Sequence, residues 1–230
     1  MYSQHTQKAL NHKTIKGMVG IQAFCYMDNH VHMLCSYSKG SVHLSKFMQR
    51  AHAGFGSQYN RKHHRKGKVA IERPRTPVVE EESQLQIDVH MYIEANPLRA
   101  GIVRNLRQLR SYRFSSYQYY AHGVENRFTK GLAHPDWYIA LGVTFEERKK
   151  VYRKLFREYL QRTGWIGQAG ERSEKEEFGQ LIEQRQFMKD IGSQKFLNKR
   201  KLVYLKYMKE KIKNDDLLPF EILQKLLEAD

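Results

Sequence analysis

Between Met18 and Tyr37, apolar residues fill two short runs broken by Asp28 and Asn29. This pattern predicts an antiparallel hairpin, with one strand over Met18 to Met27 and its partner over His30 to Tyr37. Side chains alternate faces along a strand, so His30 and His32 point one way and Val31, Met33 and Cys35 the other. Beyond a loop containing Gly40 the period changes, and Val42 to Ala53 reads as a helix with Val42, Phe47 and Met48 turned inward. The run "RKHHRKGK" at 61 to 68 is a basic loop, and "ERPRTP" at 72 to 77 holds two prolines that exclude a regular helix. Ser83 with Gln86 forms a capping-box pattern opening a second helix. Its core stripe is Ile87, Met91, Ala95, Leu98 and Ile102, and Pro97 predicts a kink or a stop near Asn96. Thr144 with Glu147 opens another helix to about Arg162. Residues 1 to 17 hold a short helix or a frayed end. Gly164 to Gly170 reads as a linker, and 171 to 230 as two or three charged helices that include "KFLNKRKLVYLKYMKEKIK".

Charge narrows the partners. The chain has 230 residues, enough for one domain with a small helical extension. Lys and Arg number 40 against 24 acids, a formal charge of +16, which favours DNA, RNA or an anionic membrane surface. The basic runs lack a clean apolar opposite face, no run is long enough to span a bilayer, and Met1 opens no signal-peptide pattern, so no membrane role is expected. Cys25 and Cys35 fall in the apolar strands as buried free thiols, which fits a reducing, cytoplasmic setting. A Gly-rich phosphate loop is missing, so no nucleotide cofactor is expected.

Two small constellations carry candidate chemistry. His30 and His32 on one strand face could grip a metal ion, or be polar residues on the wet side of a half-buried strand. Tyr92 and Asn96 lie four apart and share a helical face. Asn96 offers a carbonyl oxygen to a metal, and the oxyanion of the Tyr92 phenol is a competent nucleophile toward phosphorus if a metal activates the electrophile. The plainer reading is a rim tyrosine packing its ring, with Asn96 preparing the helix stop. Glu94 reads as a solvated helix residue. Glu80, Glu81 and Glu82 favour a positive helix start. His43, His52, His90, His122 and His134 read as surface or structural residues. Asp136, Trp137 and Tyr138 order a turn, with a DNA contact open to Trp137.

Taken together, "YMDNHVHMLCS" at 26 to 36, "LSKFMQR" at 44 to 50, "YNRKHHRKGKV" at 59 to 69, "YIEANPLRAGIV" at 92 to 103, "SYRFSSY" at 111 to 117 and "HPDWYIALG" at 134 to 142 give a chain that resembles the HUH single-tyrosine transposases. The nearest branch is the one associated with repeated extragenic palindromes. The resemblance covers roughly residues 18 to 160. It implies an α/β (α+β) core in which a ferredoxin-like antiparallel sheet carries the histidine pair and two helices cover one face, followed by a helical C-terminal extension. It divides the chain into a short N-terminal segment (1–17), a catalytic domain (18–163) and a basic extension (164–230). It implies Tyr92 as nucleophile, His30, His32 and Asn96 as ligands of Mg²⁺ or Mn²⁺, and a bacterial setting. The implied activity is cleavage and rejoining of single-stranded DNA beside imperfect hairpins, through a 5′-phosphotyrosine. The family carries a further strand beside the histidine strand. Only 17 residues precede Met18, so an uncovered sheet edge is expected there, with dimerisation through it one outcome and a monomer the other.

Backbone contacts to DNA are expected from Arg61, Lys62, Arg65, Lys66 and Lys68, and from Arg99 near the scissile phosphate. Lys195, Lys199, Arg200, Lys201, Lys206 and Lys209 could extend that footprint. The main rival is a catalytically inactive descendant that binds structured nucleic acid. A weaker one is a ribonuclease that uses the histidine pair without metal.

Overall fold

The computed structural model describes residues 1–38, 42–69, 74–81, 84–165, 190 and 193–200. Strands β1 (Val19–Tyr26) and β2 (Val31–Tyr37) pair antiparallel, and the amide of Met27 donates to the His30 carbonyl (2.9 Å) to close the Asp28–Asn29 turn. Ile21 faces Cys35 but Ala23 faces Leu34, so Gln22 is an extra residue, a β-bulge. The bulge changes the phase of the alternation. Val19 and Ile21 before it share one apolar cluster with Phe24 and Tyr26 after it, while Ala23 and Cys25 join the other cluster. The Tyr120 hydroxyl donates to the Gln22 carbonyl (2.5 Å) and satisfies this displaced group.

Both faces of the hairpin are therefore apolar, and each takes a helical layer. On one side, Val31, Met33 and Cys35 meet α1 (Tyr2–Leu10) and α2 (Val42–Lys62) through Ala9, Leu10, Phe47 and Ala51. On the other, Ala23, Cys25 and Leu34 meet Met91, Tyr92 and Ala95 of α3 (Gln84–Arg99). Around α3 lie α4 (Leu106–Ser111), α5 (Tyr117–His122), α6 (Asp136–Ile139) and α7 (Phe145–Arg162). The fold is mixed α+β, with a two-stranded antiparallel sheet among the described residues. The resemblance implied two helices on one face of the sheet; α2 and α3 instead lie on opposite faces.

Residues 1–17 contribute a helix rather than a strand. The Tyr2 hydroxyl and His52 Nε2 are 3.3 Å apart, and His5 Nε2 donates to Gln58 Oε1 (2.5 Å), which fastens α1 along α2. The free edge of β1 is covered by residues 112–116: the Tyr26 amide donates to the Phe114 carbonyl (2.8 Å) and the Ser116 amide to the Phe24 carbonyl (3.0 Å). Among the described residues no strand pairs with the far edge of β2.

Helix α2 runs past Ala53 to Lys62, and α3 passes Pro97 to end at Arg99. Ile102, expected in the core stripe, is 43% exposed because Gly101 (φ 69°) has already turned the chain out of the helix. Thr144 and Glu147 form the expected capping box at α7. The Ser83 cap and most of the extension, at 166–189 and 201–230, lie outside the described residues. Of that extension, residues 194–200 are helical, and the Ser193 hydroxyl donates to Glu80 (3.0 Å). No described helix is long and apolar enough to cross a membrane.

Candidate functional site

His30 sits at the entry to β2 and His32 two residues on, so the strand period brings their rings together with centroids 4.8 Å apart. Their Nε2 atoms are 3.0 Å apart, and His30 Nδ1 lies 2.6 Å from Asn29 Oδ1. Asn29 Oδ1 accepts from His30 Nδ1–H, which leaves Nε2 of a neutral His30 as the acceptor for His32 Nε2–H. Burial, then His30, then the Arg99 guanidinium push the His32 pKa down to about 4, so His32 is uncharged at neutral pH.

Helix α3 supplies the other wall. The Tyr92 ring stands edge-on to His32 at 6.0 Å between centroids. Arg99, two helical turns on, lies over the Tyr92 face at 4.2 Å, with the Trp165 ring 5.4 Å from the same guanidinium. Tyr92 is 4% exposed. The sequence placed His30, His32, Tyr92 and Arg99 in one site, and the structure brings these four together. Trp165 was not foreseen, since nothing local links it to α3.

Asn96 sits on the same helix but does a different job. Pro97 has no N–H, so the Ile93 carbonyl lacks its usual helical donor. The Asn96 side-chain amide donates to the Tyr92 carbonyl (2.9 Å) and toward the Ile93 carbonyl (3.4 Å), partly replacing that bond. This local repair is what lets α3 continue to Arg99.

The expected Mg²⁺ or Mn²⁺ is overturned. Among the described residues no three of His, Cys, Asp and Glu come together in a group that could hold a metal ion. Among the described residues the imidazole pair has no third partner of that kind, and Asn96 Nδ2 donates to the Tyr92 carbonyl of its own helix.

Glu94 also departs from expectation. It is fully buried, accepting from the hydroxyls of Ser116 (2.6 Å) and Tyr152 (2.5 Å), with His90 Nε2 at 3.4 Å. Trp137 packs its ring against His90 and Tyr152 in this core. Arg61, Lys62, Arg65, Lys66 and Lys68 are all exposed. Their segment is folded back on the end of α2: the Arg65 amide donates to the Asn60 carbonyl (2.8 Å), Asn60 Nδ2 donates to the Gly67 carbonyl (2.7 Å), and Arg65 lies 5.9 Å from the Tyr59 ring. Cys25 and Cys35 are free thiols.

Compared with protein-family models, curated proteins and solved structures, the chain matches none.

Proposed function

We propose that this chain cuts and rejoins single-stranded DNA beside hairpins through Tyr92, in the manner of the HUH single-tyrosine transposases it resembles. In this reading the hairpin and α3 are the part of a ferredoxin-like core that carries the reaction. The observation that supports it is the position of the Tyr92 ring, between the edge of His32 and the face of Arg99. Tyr92 attacks phosphorus in line; the new bond is phosphorus to phenolic oxygen, and the bond from phosphorus to the 3′-oxygen breaks. The phenolic proton leaves through the imidazole pair, whose 3.0 Å contact is a relay for one proton. The departing 3′-oxygen takes a proton from water, which balances the one released from the phenol, giving a 5′-phosphotyrosine and a free 3′-hydroxyl. Arg99 counters the charge that gathers on the phosphoryl oxygens. The tyrosyl ester retains the diester's energy, so a second 3′-hydroxyl can reverse the step.

The burial of Tyr92 beneath Arg99 favours a second reading, a non-catalytic binder of structured nucleic acid. One experiment separates the two. Incubation with labelled single-stranded DNA carrying an imperfect hairpin should give a protein–DNA adduct that survives denaturing electrophoresis. Tyr92→Phe should abolish the adduct and keep hairpin binding. An adduct from the Phe variant would assign the chemistry to another nucleophile, and binding without any wild-type adduct selects the second reading.

A further inference from the structure

Helix α7 has two unlike sides. Tyr152, Phe156, Tyr159 and Leu160 are buried, whereas Lys150, Lys154 and Arg157 are exposed. With the half-buried Arg153 they follow one another along successive turns. Arg153 Nη1 donates to the Ala121 carbonyl (2.6 Å), tying this side to the end of α5. Arg110, in the last turn of α4, completes the group. Arg110, Arg153, Lys149 and Arg157 all act on the His122 imidazole, and with burial, the larger cause, they hold its pKa near 4. Cations from α4 and α7 therefore converge on the end of α5.

The nearby carboxylates pair with only Lys149 and Lys154. Glu146 pairs with Lys149, Glu158 reaches only Lys154 (3.8 Å), and Glu147 is committed to the Thr144 cap. Among the described residues Arg110, Lys150, Arg153 and Arg157 have no carboxylate within ion-pair distance. Lys150 with Lys154, and Arg153 with Arg157, are like-charged pairs one helical turn apart, which weakens the isolated helix.

We propose that the ridge formed by α4, α5 and the outer side of α7 binds the phosphate backbone of double-helical nucleic acid. A polyanion relieves this repulsion and gains from release of its counterions. A membrane surface fits less well, because the apolar side of α7 is already buried in the core. A single strand fits less well, because the ridge offers no fully exposed ring for bases to stack on: Tyr117, Tyr152 and Phe156 are buried, and Tyr119 and His122 half-buried. The ridge does not depend on the Tyr92 reading.

The test uses the full chain, a DNA hairpin with a duplex stem and an unstructured strand of the same length, titrated over a range of salt. Combined Arg110→Gln, Lys150→Gln and Arg157→Gln alters only exposed side chains. It should weaken stem binding about tenfold at physiological salt and flatten the plot of log affinity against log salt by about 2 to 3, near one per lost phosphate contact. Lys8→Gln, Lys13→Gln and Lys16→Gln together, a change of equal charge on the α1 side, should leave both values near wild type. Equal losses in the two triple variants, or no loss in the first, would overturn the ridge. So would an affinity for vesicles rich in phosphatidylserine that falls in the first variant while stem binding holds. Tyr92→Phe should bind the stem with an unchanged salt slope, so a missing adduct and a failed ridge are read from separate measurements.

Discussion

Asn96 shows how much one side chain's direction decides. Its spacing from Tyr92 fitted a ligand and, more plainly, a residue that prepares the helix stop, and the Nδ2 bonds to the Tyr92 and Ile93 carbonyls give it a part in the helix end. Asn96→Ala should therefore cost about 1–2 kcal/mol of unfolding free energy, the cost of leaving a buried carbonyl poorly satisfied. A urea midpoint unchanged from wild type would remove that role. His32 makes a prediction of opposite kind. Its folded pKa, about 4, lies below the ordinary histidine value of 6.5. Above the higher value both states are neutral and the shift has no effect. Between pH 6.5 and 4 the unfolded chain binds a proton that the folded chain refuses, so stability falls as pH falls, by about 2 kcal/mol after allowing for partial solvent contact. His32→Gln should flatten that part of the stability–pH curve, and NMR titration of the His32 ring should place its midpoint near 4. Periods of two and of 3.6 are local, so they pair His30 with His32 and Tyr92 with Asn96; that the two pairs meet was implied only by the family resemblance. The burial of Glu94 was not, because an acid on a helix reads as solvated until the neighbours that face it, Ser116 and Tyr152, are known.

At the scale of elements, the hairpin, its turn and the α7 capping box could be read directly, each being set by residues within a few positions. Which helix covers which face could not. That depends on the Gln22 bulge, and no residue type marks a bulge at glutamine. The same strand brings in residues 131–133 at close range. A Cβ on Gly20 would stand 2.6 Å from the Ala133 Cβ and 2.8 Å from Ser36 Oγ. The Ala133 side chain has no rotamer to yield, and its amide is held by the Ile21 carbonyl at 2.9 Å. Gly20→Ala should thus destabilise the fold by about 1–3 kcal/mol through overpacking. Thermal melting within a degree of wild type would mean that the 131–133 segment shifts freely.

Across the whole molecule, the two apolar clusters on either side of the hairpin contain different helices. The buried Glu94 carboxylate gives one of these halves a property the other lacks. It joins α3 to α7 through Tyr152 and to the start of α5 through Ser116, whose amide in turn holds β1 at Phe24. Separating any one of these elements strands a buried carboxyl or hydroxyl, so they should open as a single cooperative unit. Native-state hydrogen exchange should give slow amides in α3 and α7 one common opening free energy, with α1 opening at a lower one. Glu94→Ala should lower the α3 and α7 values together by about 2–4 kcal/mol, since the Ser116 and Tyr152 hydroxyls lose their shared acceptor. A loss confined to α7 would show that the two helices open independently. On that outcome, protection from exchange in α3 and α7 is governed by one acidic side chain that reaches no solvent, and the layer nearest the N-terminus breathes without disturbing the helix that bears Tyr92.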